Sequence, residues 1–247
     1  MNARALGALG SLLALSVATS LTTPLAAQHA GGRGGFQIGY QAPDIDPLNT
    51  SLVAGGFPAF EDGFLTFGGF GFGRVGNFLV GGEGHGFLPR EATTADGAIR
   101  TRLGGGYGMF NLGYMAFSNA RVDVYPIFGI GGGQLQLDLI ERSSPVFDDV
   151  LDDPGTSSRL TTDDFLLSAA VGADYRFGVP SRDARRRRDR DDDEGRGGLF
   201  LGVRAGWTWA PGDARWELDE LNEVAGGPAV GPTGLFVRVS IGGWGGD

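Results

Sequence analysis

Glu83 and His85 stand two residues apart in Gly82-Glu83-Gly84-His85-Gly86, so on an extended strand both side chains leave the same face. An imidazole beside a carboxylate is the base half of a nucleophilic triad, which also needs a hydroxyl within hydrogen-bond reach. No serine lies nearby in sequence; Ser168 and Ser240 are remote along the chain and could meet His85 only across a closed fold. The other histidine is His29, and one His with one Glu falls short of the usual three or four ligands of a metal site. Asp148-Asp149 and Asp152-Asp153 offer oxygens, but their spacing matches no EF-hand loop and no glycine sits at the turn position. No catalytic residue, metal or cofactor is expected, and His85 reads as a hydrogen-bonding residue of a polar interior.

The elements that would hold such an interior are visible near the C-terminal end. From Phe165 to Phe177 the odd positions are Phe165, Leu167, Ala169, Val171, Ala173, Tyr175 and Phe177, against Ser168, Gly172, Asp174 and Arg176 among the even ones. Leu199 to Trp209 repeats the pattern, with Leu201, Val203, Ala205 and Trp207 against Gly202, Arg204 and Gly206. The last stretch sets Leu235, Val237, Val239 and Ile241 against Phe236, Arg238, Ser240 and Gly242. Period 2 marks a strand with two unlike faces, and roughly 9 to 11 such residues cross a hydrocarbon core when tilted.

Composition and the N-terminus agree with a membrane-crossing sheet. Arg4, the apolar run Ala5 to Val17 and the small residues Pro24-Leu25-Ala26-Ala27 have the form of a secretory signal peptide over residues 1–27, too short and wrongly flanked for a membrane helix. Its removal takes away one Arg and no acid, so the formal charge of -9 becomes about -10, which argues against nucleic acid as a partner. There is no cysteine, hence neither a disulfide nor a lipid-modified N-terminal Cys. Glycine clusters such as 68–73, 104–106 and 131–133 sit among aromatic and aliphatic residues, as a small, tightly curved sheet requires.

After a Gly-rich tail at 28–35, eight strands are expected between residues 36 and 244: Phe36 to Tyr40, Gly63 to Phe72, Phe78 to Phe87, Ile99 to Phe117, Arg121 to Ile140, and the three above. Tight connections follow the second and fourth, and longer ones follow the first, third, fifth and seventh, the asymmetry of short periplasmic turns and long outer loops. Residues 178–197 break the rule with Arg185-Arg186-Arg187-Arg188 followed by Asp189-Arg190-Asp191-Asp192-Asp193-Glu194, expected as a solvated, disordered insertion. Two outer loops, Glu141 to Asp164 and Pro211 to Gly231, are acidic. Within the second, Asp213 to Val224 could form a short amphipathic helix with Asp213 as N-cap and Ala214, Leu218 and Leu221 on one face.

A soluble barrel of lipocalin type would turn its apolar face inward. Here the less apolar face carries Gly, Ala and Ser with isolated charges, a poor match to a water-exposed surface and a better one to a narrow lumen. Pointing inward are then Asp174, Arg176, Arg204 and Arg238, with Glu83, His85 and Arg102 as additions. Tyr175, Phe177, Trp207, Trp209 and Trp244 lie near strand ends as aromatic girdles, Trp244 only if the preceding glycines form a bulge.

On these features the chain resembles the small eight-stranded outer-membrane proteins of the OmpA and OmpX type, over roughly Phe36 to Trp244, and without the peptidoglycan-binding domain that follows the barrel in some relatives. The resemblance implies an all-β, antiparallel up-and-down transmembrane barrel in the outer membrane of a bacterium with two membranes. It also implies outer-membrane lipids, lipopolysaccharide and the outer-membrane assembly machinery as partners, and a monomer. Enzymes that remodel lipid A exist on this fold, and the deacylase type resembles a Ser-His-acid hydrolase; the missing serine beside His85 counts against that activity. The expected role is structural or surface-interacting, and the alternative is a narrow channel or a barrel that binds a small molecule or lipid.

Overall fold

The computed structural model describes residues 30–141, 157–178, 197–212, 214–219 and 222–246, and the expected signal peptide and the Arg/Asp-rich run at 182–196 lie outside them. In chain order the elements are β1 Ala30–Ala42, α1 Asp46–Ala54, β2 Phe64–Val75, β3 Phe78–Thr93, β4 Ile99–Tyr114, β5 Phe117–Ser118, β6 Val122–Glu141, β7 Ser157–Gly178, β8 Gly197–Trp209, β9 Arg215–Leu218, β10 Asn222–Val224 and β11 Gly234–Gly245. All strands share one sheet, in which β1 pairs antiparallel with both β2 and β11. Because β6 also pairs with β7, the ladders form a complete ring and the sheet is closed. With β5, β9 and β10 as short additions, the fold is a closed eight-stranded up-and-down barrel.

Closure pairs the strand edges around the barrel wall, and side-chain alternation then sorts the sequence into an inside and an outside. On β11 Leu235, Val237, Val239 and Ile241 are 47–56% exposed, whereas Phe236, Arg238 and Ser240 are 4% exposed or less. The apolar face is therefore outside, the reverse of a water-soluble barrel. On β7 this face runs from Phe165 to Phe177, which at about 3.4 Å per residue and roughly 40° of tilt covers about 30 Å, the thickness of a hydrocarbon core. Beyond Phe165 the outward residue is Asp163, and Gln134 faces it on β6. The outward face turns polar where β3, β4, β6 and β7 run on past the apolar belt.

Turn chemistry fixes the registers. Val75 pairs with Phe78, leaving a two-residue turn in which Gly76 takes φ +59°, a conformation glycine adopts without strain. Between Phe87 and Arg90 the β3–β4 register shifts at Leu88-Pro89, where the proline has no N–H for the ladder.

Several boundaries differ from those expected. Residues 30–35, read as a tail, form the first half of β1, because the alternation of Phe36, Ile38 and Tyr40 continues backward through glycines that hide it. The segment 41–62, read as loop, contains α1, with Leu48 and Leu52 one turn apart and both buried. The helix considered for Asp213 to Val224 is instead the β9–β10 hairpin, with Asp213, Glu220 and Leu221 outside the described residues. Trp216 and Leu218 pair with Thr162 and Leu160 of β7, so the free edge of β7 outcompetes a local helix.

The end of the lumen beside α1 is filled by one apolar cluster. Ile45, Leu48 and Leu52 around α1, Phe60, Phe64, Trp216 and Val230 pack with Leu103, Leu135 and Leu166 of the wall. Asn49 ties α1 to the following loop by donating to the Phe60 carbonyl at 2.9 Å and accepting its N–H at 2.8 Å. A second cluster includes Phe72 and Leu79 beside the β2–β3 turn, together with Tyr125 and Phe200.

Candidate functional site: the charged lumen

Large side chains enter a narrow barrel only where the opposite wall recedes. A Cβ on Gly39 would come within 2.6 Å of Arg238 Cγ, and one on Gly68 within 2.5 Å of His85 Nδ1. Inward glycines therefore make room for the arginine and the histidine, which explains why this chain interleaves glycine with charge.

The charges form two connected groups. In the first, Arg204 and Arg238, directly opposed on β8 and β11, converge on Glu83 of β3. Arg204 binds Oε2, and Arg238 Nη1 donates to Oε1 at 3.1 Å. The other Arg238 terminal nitrogen donates to the Tyr107 hydroxyl, which donates in turn to Gln41 Oε1 at 3.0 Å. Gln41 Nε2 donates to the carbonyls of Pro232 and Thr233 at 2.8 and 3.1 Å. In the second group Arg33 bridges Asp174 at 2.6 Å and Asp123 at 2.9 Å, and Ser118 donates to Asp123 at 2.7 Å. Arg176 lies 3.4 Å from Asp123. The Tyr125 hydroxyl, 3.2 Å from Asp174 Oδ2 and 3.5 Å from Arg204 Nη2, joins the two groups.

The result is one chain of polar contacts from the turn at Ser118 to the loop at Pro232. Rings flank it. Arg204 lies 5.2 Å from the Phe70 and Phe72 ring centres, and Arg238 lies 3.7 Å from that of Phe236. These cation–π contacts replace part of the hydration the guanidiniums give up.

Of the residues singled out from sequence, Glu83, Arg204 and Arg238 meet in the first group and Asp174 and Arg176 in the second. His85 is 5% exposed, with Nε2 3.9 Å from Glu83 Oε2. Neither Ser168 nor Ser240 is hydrogen-bonded to it, since neither ring nitrogen has a hydrogen-bond partner among the described residues. Among the described residues no three His, Cys, Asp or Glu side chains cluster as a metal site would need. Arg102 departs from expectation: it is exposed on the outer face. The inward phase of β4 runs through Thr101, Leu103, Tyr107, Met109 and Asn111, and above the belt an outward charge meets water.

Tyr175, Phe177, Trp207 and Trp209 all face outward, 38–53% exposed. The first two lie at the end of β7 and the last two at the end of β8, so they mark opposite rims. Trp244 departs from expectation. The β8–β11 register runs unbroken through Trp244 and Gly198, with no bulge, so Trp244 keeps the inward phase of Arg238 and Ser240. It packs on the second cluster with Arg176 5.2 Å from its ring centre.

Sequence reasoning missed Arg33, Asp123, Tyr107 and Tyr125. Arg33 was legible in principle, since it shares the odd phase of Gln37 and Gln41, but the glycines around it mimic a tail. The others carry inward phases and no local mark of their partners.

The sequence matches no known family profile and no curated protein. Among solved structures the chain is similar to Ail, the attachment invasion locus protein of Yersinia pestis, in complex with the heparin analogue sucrose octasulfate, at 12% identity and a TM-score of 0.41 over 87% of this chain and 97% of that one. It is also similar to the outer membrane protease OmpT from Escherichia coli, at 8% identity and a TM-score of 0.33 over 90% of this chain and 97% of that one.

Proposed function

We propose that this protein is a non-enzymatic outer-membrane barrel with a structural or surface-interaction role, embedded by its apolar belt in outer-membrane lipid and lipopolysaccharide. It reaches that membrane through the outer-membrane assembly machinery and works as a monomer. The observation that carries this reading is the pairing of an apolar outside with a lumen occupied along its length by side chains. Ion pairs fill the middle, and α1, Trp216 and Val230 pack into the outer end. An eight-stranded barrel has an interior just wide enough for such side chains, so transport through it is disfavoured. What the chain offers its surroundings is the rim above the belt.

Fractionation and conductance test this together. The processed protein should sediment with outer membranes, run faster on gels unboiled than boiled, and give no steady conductance steps in planar bilayers. Recovery as a detergent-free periplasmic monomer overturns the membrane reading, and reproducible steps replace the structural role with a channel.

A further inference from the structure

Four buried polar side chains on adjoining positions of β11, β1, β2 and β3 carry hydrogen-bonding atoms without partners among the described residues. Gln37 is opposite Gly68 and Gly39 is opposite Thr66 in the β1–β2 ladder, so side chains and bare backbone alternate in a two-by-two block. His85 of β3 leans over Gly68, and Arg238 of β11 leans over Gly39. Gln37, Thr66 and Arg238 are each 1% exposed and His85 5%. Yet both amide atoms of Gln37, the Thr66 hydroxyl, both His85 ring nitrogens and Arg238 Nε have no hydrogen-bond partner among the described residues. Orphaned polar groups at such depth are costly, so a set of them on adjoining strands points to a bound species that meets them.

Charge indicates which species. Arg204 and Arg238 share Glu83, two cations on one anion, and both carboxylate oxygens are engaged. Among the described residues the neighbouring group sets Arg33 and Arg176 against Asp123 and Asp174. The unpartnered donors of this cluster are the Gln37 amide, the Thr66 hydroxyl, an imidazole N–H and the Arg238 Nε–H. An excess positive charge in a low-dielectric interior, faced by convergent N–H and O–H groups, selects an anion. Side chains crowd the surroundings, which restricts its size.

We propose that Gln37, Thr66, His85 and Arg238 bind a small monovalent anion of chloride size inside the barrel, as a fixed counter-ion to the Arg204–Glu83–Arg238 group. This rests on the filled-lumen reading above. It goes beyond it by making the lumen electrolyte-dependent.

The test compares protein folded in detergent micelles in sodium chloride, sodium bromide and sodium gluconate at equal sodium concentration, reading the temperature at which the fast unboiled gel form is lost. Chloride and bromide should raise that temperature by several degrees over gluconate. Gln37→Leu combined with Thr66→Val, which removes donors without changing charge, should abolish the difference between salts. If that double variant does not fold, crystals of the parent grown in bromide decide the matter by an anomalous peak among the four side chains. Equal midpoints in all three salts, or a bromide crystal without that peak, would mean that water alone meets these groups and would overturn the proposal. Loss of the fast form in every salt would instead count against the barrel reading itself.

Discussion

Arg204 and Arg238 are cross-strand neighbours on β8 and β11, and both guanidiniums close on the carboxylate of Glu83. Two like charges side by side on one wall repel unless an anion stands between them, so Glu83 determines whether β8 and β11 keep their inward side chains buried. Replacing it with Glu83→Gln should destabilise the fold by about 3–5 kcal/mol, the usual cost of breaking a buried pair from one side. Adding Arg204→Met should recover part of that loss. Urea unfolding of protein folded into vesicles measures both, and a neutral effect of Glu83→Gln would remove the lumen group from the stability of the barrel.

Two glycines of one strand should respond oppositely to enlargement. Gly68→Ala drives a methyl into His85 Nδ1 and, nearer still, the Gly84 carbonyl, whereas a Cβ on Gly71 meets nothing within 4 Å. Gly68→Ala should cost about 1–3 kcal/mol as overpacking does, and Gly71→Ala should lie within about 0.5 kcal/mol of the parent, like a surface change. The comparison is the unfolding midpoint of each variant in the same lipid.

Val203 is 52% exposed and Arg204 2% exposed, one residue apart on opposite faces. Val203→Arg places a charge against the hydrocarbon and should cost about 2–4 kcal/mol near mid-depth. In detergent-free lipid its folded fraction should fall well below that of Val203→Leu, which keeps the face apolar.

At the β3–β4 turn the Thr94 hydroxyl donates to Asp96 Oδ1 at 2.6 Å, and the Ala98 N–H adds a bond at 3.0 Å. These bonds, the hydroxyl first, hold the Asp96 carboxyl below its ordinary value. A depressed carboxyl stabilises the turn above its unfolded pKa of about 3.9 and loses that contribution as pH falls through the lower folded value. Thr94→Ala should move the Asp96 carboxyl resonance titration upward toward the ordinary range.

Strand faces were legible because period 2 survives at the residue level: Asp174, Arg204 and Arg238 fall inward from alternation alone. Their partners were not. Which strands bring Glu83 to Arg204, or Arg33 to Asp174, depends on the stagger around the closed barrel, and no local pattern encodes it. Arg33 was hidden by glycines that are silent about phase. Trp244 joins the girdle only if Gly242 and Gly243 form a bulge, and the unbroken β8–β11 register keeps it in the inward phase instead. The β9–β10 hairpin escaped because its local amphipathic pattern suits a helix, and the edge of β7 that captures it is remote in sequence.

The central claim is that the apolar face meets lipid while the charged face encloses a filled lumen, and the four tryptophans of the chain divide across that boundary. Trp207 and Trp209 lie on the lipid-side face, whereas Trp216 is 3% exposed in the cluster around α1 and Trp244 faces the lumen. Single-tryptophan variants, folded into vesicles whose acyl chains carry bromine, report contact with lipid directly through quenching. Strong quenching at Trp207 and Trp209, with little at Trp216 and Trp244, is the predicted result. Strong quenching at Trp244 with none at Trp207 would contradict the account, because the charged face would then be the one in contact with lipid.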